Sequence, residues 1–329
     1  MTIDFALSPD QEAVEELFTR FFAIESPPAV VRAAEPLGFS AAVWDKAIEL
    51  GAPGMGLPAE VDGGGATLAE LAIVAESIGR AVAPAPLVDH IVAARVLAEP
   101  AADVVDGSTI ASLALQPADD SGLWSSVPAG AVAGLVVGVE GSDLIAVRST
   151  PPGDGPRNHG SVPLADRSCA AGHREVIGDS TRWSVALAEW KILTAASMVG
   201  VATRALELGV AYVKERHQFG RPIGSFQAVQ HGFADLVGLV DGSRLLVHKA
   251  AWACDRRQPD PSAAGAALGE VDDNEVIEER PTEVEQYRQD VRRIISETFG
   301  PTDLDQMHAS GSAKADRLYK ALGERGLIR

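Results

Sequence analysis

Arg216–His231 reads RHQFGRPIGSFQAVQH, and the rest of the chain is arranged about it. A long amphipathic stretch, roughly Val185 to Glu215, runs into it, and a second, Phe226 to Cys254, runs out. Between them Gly220, Pro222 and Gly224 interrupt the helical pattern, because proline lacks an N–H and glycine accepts turn dihedrals. So short a connection predicts two long antiparallel helices. Leu193, Ala196, Val199, Thr203, Leu206, Val210 and Val213 mark one face of the first; Phe233, Leu236, Val237, Val240, Leu245 and Val247 mark the second. Such a pair cannot bury both apolar faces alone, so another chain or further sequence must cover them.

Upstream, Ser8-Pro9-Asp10 supplies a capping hydroxyl, a proline for the first turn and an acid beside it, the start of a helix. Val14, Leu17, Phe18, Phe21 and Phe22 form its apolar stripe, and Pro27-Pro28 ends it. Further helices are expected around Ala41–Leu50, Leu68–Arg80 and Val88–Leu97, with a loop at Gly51–Gly65. Residues 1–104 therefore read as an all-helical domain. After Pro100 the vocabulary becomes that of strands: Gly107–Leu115, Ala131–Val139 and Leu144–Val147 are short, rich in Val, Ile and Leu, and punctuated by Gly, Pro and Asp. Residues 105–182 are expected to form a small β-barrel-like middle domain, and residues 183–257 the two long helices of an incomplete C-terminal bundle. The expected class is multi-domain α+β.

The stretch at 258–284 is Pro-rich and then acidic with little apolar spacing, a linker by composition. Beyond it Tyr319–Gly326 echoes Trp44–Gly51 at an offset of 275, and Glu285–Thr298 echoes Asp10–Ala23 at the same offset. Residues 285–329 thus read as a partial repeat of a helical N-terminal domain; a unique pair of capping helices is the other reading.

The totals exclude several classes. A net charge of −18 argues against nucleic acid or an anionic membrane surface as partner. Cys169 and Cys254 are the only cysteines and read as free thiols of a cytoplasmic protein. The N-terminus lacks the pattern of a signal peptide, and charged Glu189, Lys191, Arg204 and Glu207 on the longest helix point to a soluble bundle. Cys169 and His173 have no second pair to complete a metal site, so no metal is expected. Gly54-Met55-Gly56-Leu57-Pro58-Ala59 has glycine spacing but no strand before it, and reads as a loop.

Arg216-His217-Gln218-Phe219-Gly220 followed by Phe226-Gln227 resembles the helix–turn–helix signature of the acyl-CoA dehydrogenases, and GLPAEVDGGG and GRAVAPAPLVDH resemble segments of that family's N-terminal domain. With the partial repeat, the chain resembles the N-terminal half of a fused two-unit enzyme of the sterol-degrading bacterial type. The resemblance implies FAD and α,β-dehydrogenation of a CoA thioester. It also implies a homo- or hetero-oligomer of dehydrogenase units, and an electron-transfer flavoprotein as possible acceptor. It makes Arg216, Gln218, Phe219 and Gln227 cofactor contacts, Arg216 on the pyrophosphate across a subunit interface and Phe219 beside the flavin. From the residues alone, Arg216 is better read as the cap of a helix C-terminus.

Two departures narrow the expectation. Where the family holds flavin and thioester with a T-E-P-x-A-G-S-D-like run after a strand, this chain reads Ala114-Leu115-Gln116-Pro117-Ala118-Asp119-Asp120-Ser121. The base near the C-terminus of one branch is missing, and the other branch's register falls on Trp190. Glu189 stands next to it, about 100° round the helix; it is the one catalytic candidate, and otherwise an exposed helical acid. The expected role is a non-catalytic half completing a partner's FAD site; the alternatives are a flavin-free interaction module and an active enzyme using Glu189.

Overall fold

The computed structural model describes residues 7–257, and these fall into two compact units, one of 7–208 and 238–257 and the other of 209–237. The linker and partial repeat expected at 258–329 lie outside the described residues.

In the first unit the helices come first: α1 (Pro9–Glu25), α2 (Pro28–Ala33), α3 (Ala41–Glu49), α4 (Leu68–Ala81), α5 (Leu87–Val96) and the short α6 (Ala102–Val105). Ser8 caps α1, its hydroxyl accepting from the Gln11 N–H while the Gln11 side chain returns to the Ser8 N–H; Thr67 and Glu70 do the same for α4. Pro27-Pro28 ends α1 as its ring geometry requires, yet Pro28 at once opens α2, because a first-turn proline lacks only a hydrogen bond that no helix would make there. Phe18 and Phe22 on α1, with Trp44 on α3 and Leu71 and Val74 on α4, lie in one continuous core with the sheet.

The strands are β1 (Ala111–Leu113), β2 (Leu123–Val127), β3 (Leu135–Glu140), β4 (Asp143–Arg148), β5 (Ala165–Ser168) and β6 (His173–Asp179). One sheet has the order β1-β3-β4-β6, with β1 parallel to β3 and the other pairs antiparallel; β2 and β5 form a second, two-stranded sheet. The mixed α+β class holds, but the barrel-like form is not seen: neither sheet closes among the described residues. The sheets meet over Trp124, whose Nε1–H donates to the Val139 carbonyl at 3.0 Å, and only glycine fits at 138, where a Cβ would stand 2.6 Å from that indole. His90 ties the helices to the sheet. Its Nε2–H donates to the Val104 carbonyl at 3.0 Å and its Nδ1 accepts from the Ala111 N–H at 3.0 Å; that neutral tautomer is held by burial, which pushes the imidazole pKa down to about 4.

Two long helices follow, α7 (Ser180–Glu215) and α8 (Gln227–Arg257). Contrary to the sequence reading, α7 is long and apolar enough to cross a membrane by length and composition. Its buried residues Ala186, Glu189, Leu193, Ala196, Val199 and Gly200 form a stripe inside the first unit, the pattern of a core helix. Backbones touch where α4 and α7 cross: a Cβ on Gly79 would lie 1.8 Å from the Ser197 carbonyl oxygen, and one on Gly200 1.9 Å from that of Glu76. On α8, Arg244 reaches Glu76 at 2.9 Å and Thr203 at 2.8 Å, and Asp255 accepts from the first N–H groups of α4, Leu68 at 2.7 Å and Ala69 at 3.0 Å.

The second unit holds the end of α7, a hairpin of β7 (His217–Gln218) and β8 (Arg221–Pro222), and the start of α8. Gly209 lies against Phe233, a Cβ there falling 2.8 Å from the ring, so the helix ends fold back on each other as the short connection predicts.

Candidate functional site

The hairpin decides what the second unit can offer. His217 pairs with Pro222 and Gln218 with Arg221, which leaves a two-residue turn, Phe219-Gly220, with φ of 55° and 78°. Positive φ at both turn positions follows the twist of a hairpin, but the first is ordinarily Asn, Asp or Gly. A phenylalanine there is strained, and strain of this kind collects at working surfaces. The strain places the Phe219 ring at the tip with 91% of its surface exposed. Phe226 meets it edge-on at 6.2 Å, and the Arg221 guanidinium lies 4.1 Å over the Phe226 ring. The aromatic pair thus stiffens the base of the turn and leaves the tip bare.

Arg216 joins α7 to the hairpin by its main chain, its N–H donating to the Tyr212 carbonyl at 2.8 Å and its carbonyl accepting from the Ile223 N–H at 2.7 Å. Its guanidinium is exposed and has no hydrogen-bond or ion-pair partner among the described residues. The cap on the helix end comes from His217, whose Nδ1–H donates to the Glu215 carbonyl at 2.9 Å. Gln218 and Gln227 are exposed as well. Of the residues singled out in the sequence, Arg216, Gln218 and Phe219 sit on one hairpin, with Gln227 at the first turn of α8. A free guanidinium, free amides and a bare aromatic face suit the anionic and flat parts of a dinucleotide cofactor, as one wall of a site.

In the first unit, the remaining candidate is differently placed. Glu189 is buried rather than exposed, because Arg95 on α5 grips it with two hydrogen bonds, Nε to Oε2 at 2.9 Å and Nη2 to Oε1 at 3.0 Å, while Nη1 donates to the Gly56 carbonyl at 2.6 Å. Burial opposes the charge on Arg95, but Glu189 outweighs it and raises the guanidinium pKa. Sequence reasoning missed this partner, for which Arg95 on the predicted helix was the only signal. Trp190, at the register of the absent base, donates its indole N–H to Asp89 at 2.8 Å. Burial pushes the Asp89 carboxyl up to about 6 despite that hydrogen bond. Trp183 donates to the Ala114 carbonyl at 2.7 Å, and Arg182 to the carbonyls of Ile177 at 2.9 Å and Val96 at 2.7 Å.

The edge after β1, where the resemblance implies flavin contacts, is occupied by its own chain. Ala118 and Asp119 donate to the carbonyls of Val139 and Leu123, and the Asp119 carboxylate accepts from the Ser121 N–H, the Ser121 hydroxyl and the Leu123 N–H. With the Ala114 carbonyl also taken, this donor set does not fit a flavin ring. A surface cleft of about 550 Å³ lined by Ile48, Val61, Asp62, Pro100 and Asp106 includes none of these residues. Among the described residues, no group of three His, Cys, Asp or Glu could hold a metal ion.

Comparison with known proteins places the chain. Residues 8–102 match the family described as acyl-CoA dehydrogenase, N-terminal domain, and residues 182–268 match acyl-CoA dehydrogenase, C-terminal domain. Acyl-CoA dehydrogenase IpdE2 of Mycolicibacterium smegmatis is 30% identical over 275 residues, 80% of this chain and 81% of that one. Benzylmalonyl-CoA dehydrogenase of Aromatoleum aromaticum is 28% identical, covering 80% and 84%. Among solved structures, a variant of the Tcur3481-Tcur3483 steroid ACAD superposes with a TM-score of 0.67 at 28% identity, covering 79% and 81%. The ChsE4-ChsE5 complex from Mycobacterium tuberculosis shares the fold, with a TM-score of 0.68 at 23% identity over 81% and 83%. On these matches the chain belongs to the acyl-CoA dehydrogenase family.

Proposed function

We propose that this chain is the non-catalytic half of an FAD-dependent acyl-CoA dehydrogenase, which completes a flavin site carried mainly by a partner dehydrogenase unit. Arg216 binds the pyrophosphate of FAD, Phe219 packs beside the flavin, and Gln218 and Gln227 supply polar contacts. The partner unit holds the CoA thioester and removes its α-proton, and reducing equivalents leave through an electron-transfer flavoprotein. The observation that carries this reading is the hairpin tip: an aromatic ring held bare by a strained turn, beside a guanidinium with no partner among the described residues.

Two relatives support the division of labour. One is a complex of ChsE4 with ChsE5, and the other is the Tcur3481-Tcur3483 steroid ACAD. They also favour a CoA ester of steroid origin as substrate. The Glu189 base reading is weaker, because both carboxylate oxygens are engaged by Arg95. The test is coexpression with the dehydrogenase unit that co-purifies with this chain: the complex is yellow, with flavin absorbance that falls when Phe219→Ala is introduced. A colourless complex removes the proposal in favour of a flavin-free interaction module.

A further inference from the structure

We propose that the space between α5, the end of β1 and the first turns of α7 is a closed pseudo-site in this chain, plugged by the indoles of Trp183 and Trp190 and unable to take a flavin. The proposal deepens the reading that flavin is shared, and it can fail separately from it.

The closure is built from one face of α7. Arg182, Trp183, Glu189 and Trp190 stand at i, i+1, i+7 and i+8, two turns apart on a helix of 3.6 residues per turn. All four are tied to α5 or the sheet: Arg182 to the Val96 and Ile177 carbonyls, Trp183 to the Ala114 carbonyl at the end of β1, Glu189 to Arg95, and Trp190 to Asp89. The spacing brings the two indoles to the same side, one closing on β1 and the other on α5. A tricyclic ring entering there must displace both, and the Ala118, Asp119, Ser121 and Leu123 N–H groups beside it are already bonded within the protein. Withdrawing α7 to make room breaks the doubly bonded Arg95–Glu189 pair, and a buried charge left alone resists such opening.

The test uses the full chain and FAD itself. Titration followed by flavin fluorescence and tryptophan emission is expected to show no saturable binding, with cooperative melting confirming that the protein is folded. In the assembled enzyme the expected ratio is one FAD per pair of unlike chains. Binding of one FAD per chain, or two FAD per pair, overturns the closure. If that binding survives Arg216→Ala, the flavin sits in this chain's own cleft; if it is lost, two copies of the chain build a complete site between them, which equally requires an open cleft. Failure of the flavin-sharing reading has a different signature: one FAD per pair that is indifferent to Arg216→Ala.

Discussion

Replacing Glu189 with glutamine separates a structural carboxylate from a catalytic one. The Glu189 side chain is 8% exposed and that of Arg95 14%, and the two share two hydrogen bonds of 2.9 and 3.0 Å. The amide keeps one acceptor but removes the charge, leaving Arg95 with the Gly56 carbonyl and the field of Asp255. Removing one partner of a buried pair costs 3–5 kcal/mol; the remaining acceptor and the slight exposure of Arg95 put this case near the lower end, at about 3 kcal/mol. For a domain of this size, that lowers Tm by about 6–12 °C. The double change Arg95→Met with Glu189→Leu recovers most of the loss, because neither charge is then stranded. Circular-dichroism melts of the wild type, Arg95→Met, Glu189→Leu and the double variant give the coupling directly. Turnover of the assembled enzyme, normalised to folded protein, is expected to be unchanged. A Glu189→Gln protein that melts like the wild type but has lost turnover would refute the reasoning and make Glu189 the base.

Other outcomes follow from the same packing. Gly200→Ala places a methyl 1.9 Å from the Glu76 carbonyl oxygen, so α4 and α7 must part, and urea unfolding is expected to register a loss of about 2 kcal/mol or more. His90 refuses a proton until about pH 4, whereas the unfolded chain accepts it near 6.5; its contribution is intact above 6.5 and lost as pH falls toward 4, about 3 kcal/mol in all, and a His90→Gln melt series should lack that limb. Asp89 works in the opposite sense: its carboxyl titrates at about 6 when folded against 3.8 unfolded, so its contribution is lost as pH rises from 3.8 through 6. Asp89→Asn should therefore stabilise the protein at pH 7.5 by about 2 kcal/mol and have no effect below pH 3.8. Burial first, and then Glu140, hold the Cys169 thiol up at about 11, so a thiol reagent at pH 8 should leave it unmodified until the protein unfolds.

The helices were legible because their signals are local. Ser8 caps where the sequence places it, and the α7–α8 connection follows from Gly220, Pro222 and Gly224 within a few residues. The sheet was less legible. β2 carries exposed Ser125 and Ser126, and β6 is an exposed polar edge strand, so neither shows the apolar alternation that marks a strand from sequence. Sheet closure depends on pairings between distant segments, about which residues 105–182 say little individually. At the candidate site, Arg216 and Phe219 could be singled out because their motif is contiguous. The partners of Glu189 and Trp190 lie 94 and 101 residues away, on a helix whose polar positions give no hint of their targets. That distance is why Glu189 read as exposed and why the two tryptophan ties went unseen.

The central claim is that this chain lends its hairpin to a flavin held by another dehydrogenase unit, and the FAD dissociation constant of the assembled enzyme carrying Arg216→Ala tests it most directly. A charge-assisted contact to phosphate contributes about 1.5–3 kcal/mol, so FAD should bind roughly 10- to 100-fold more weakly. The arginine lies on an exposed hairpin, so the melting temperature of the isolated chain should not change. An unaltered dissociation constant in a correctly assembled complex would contradict the account.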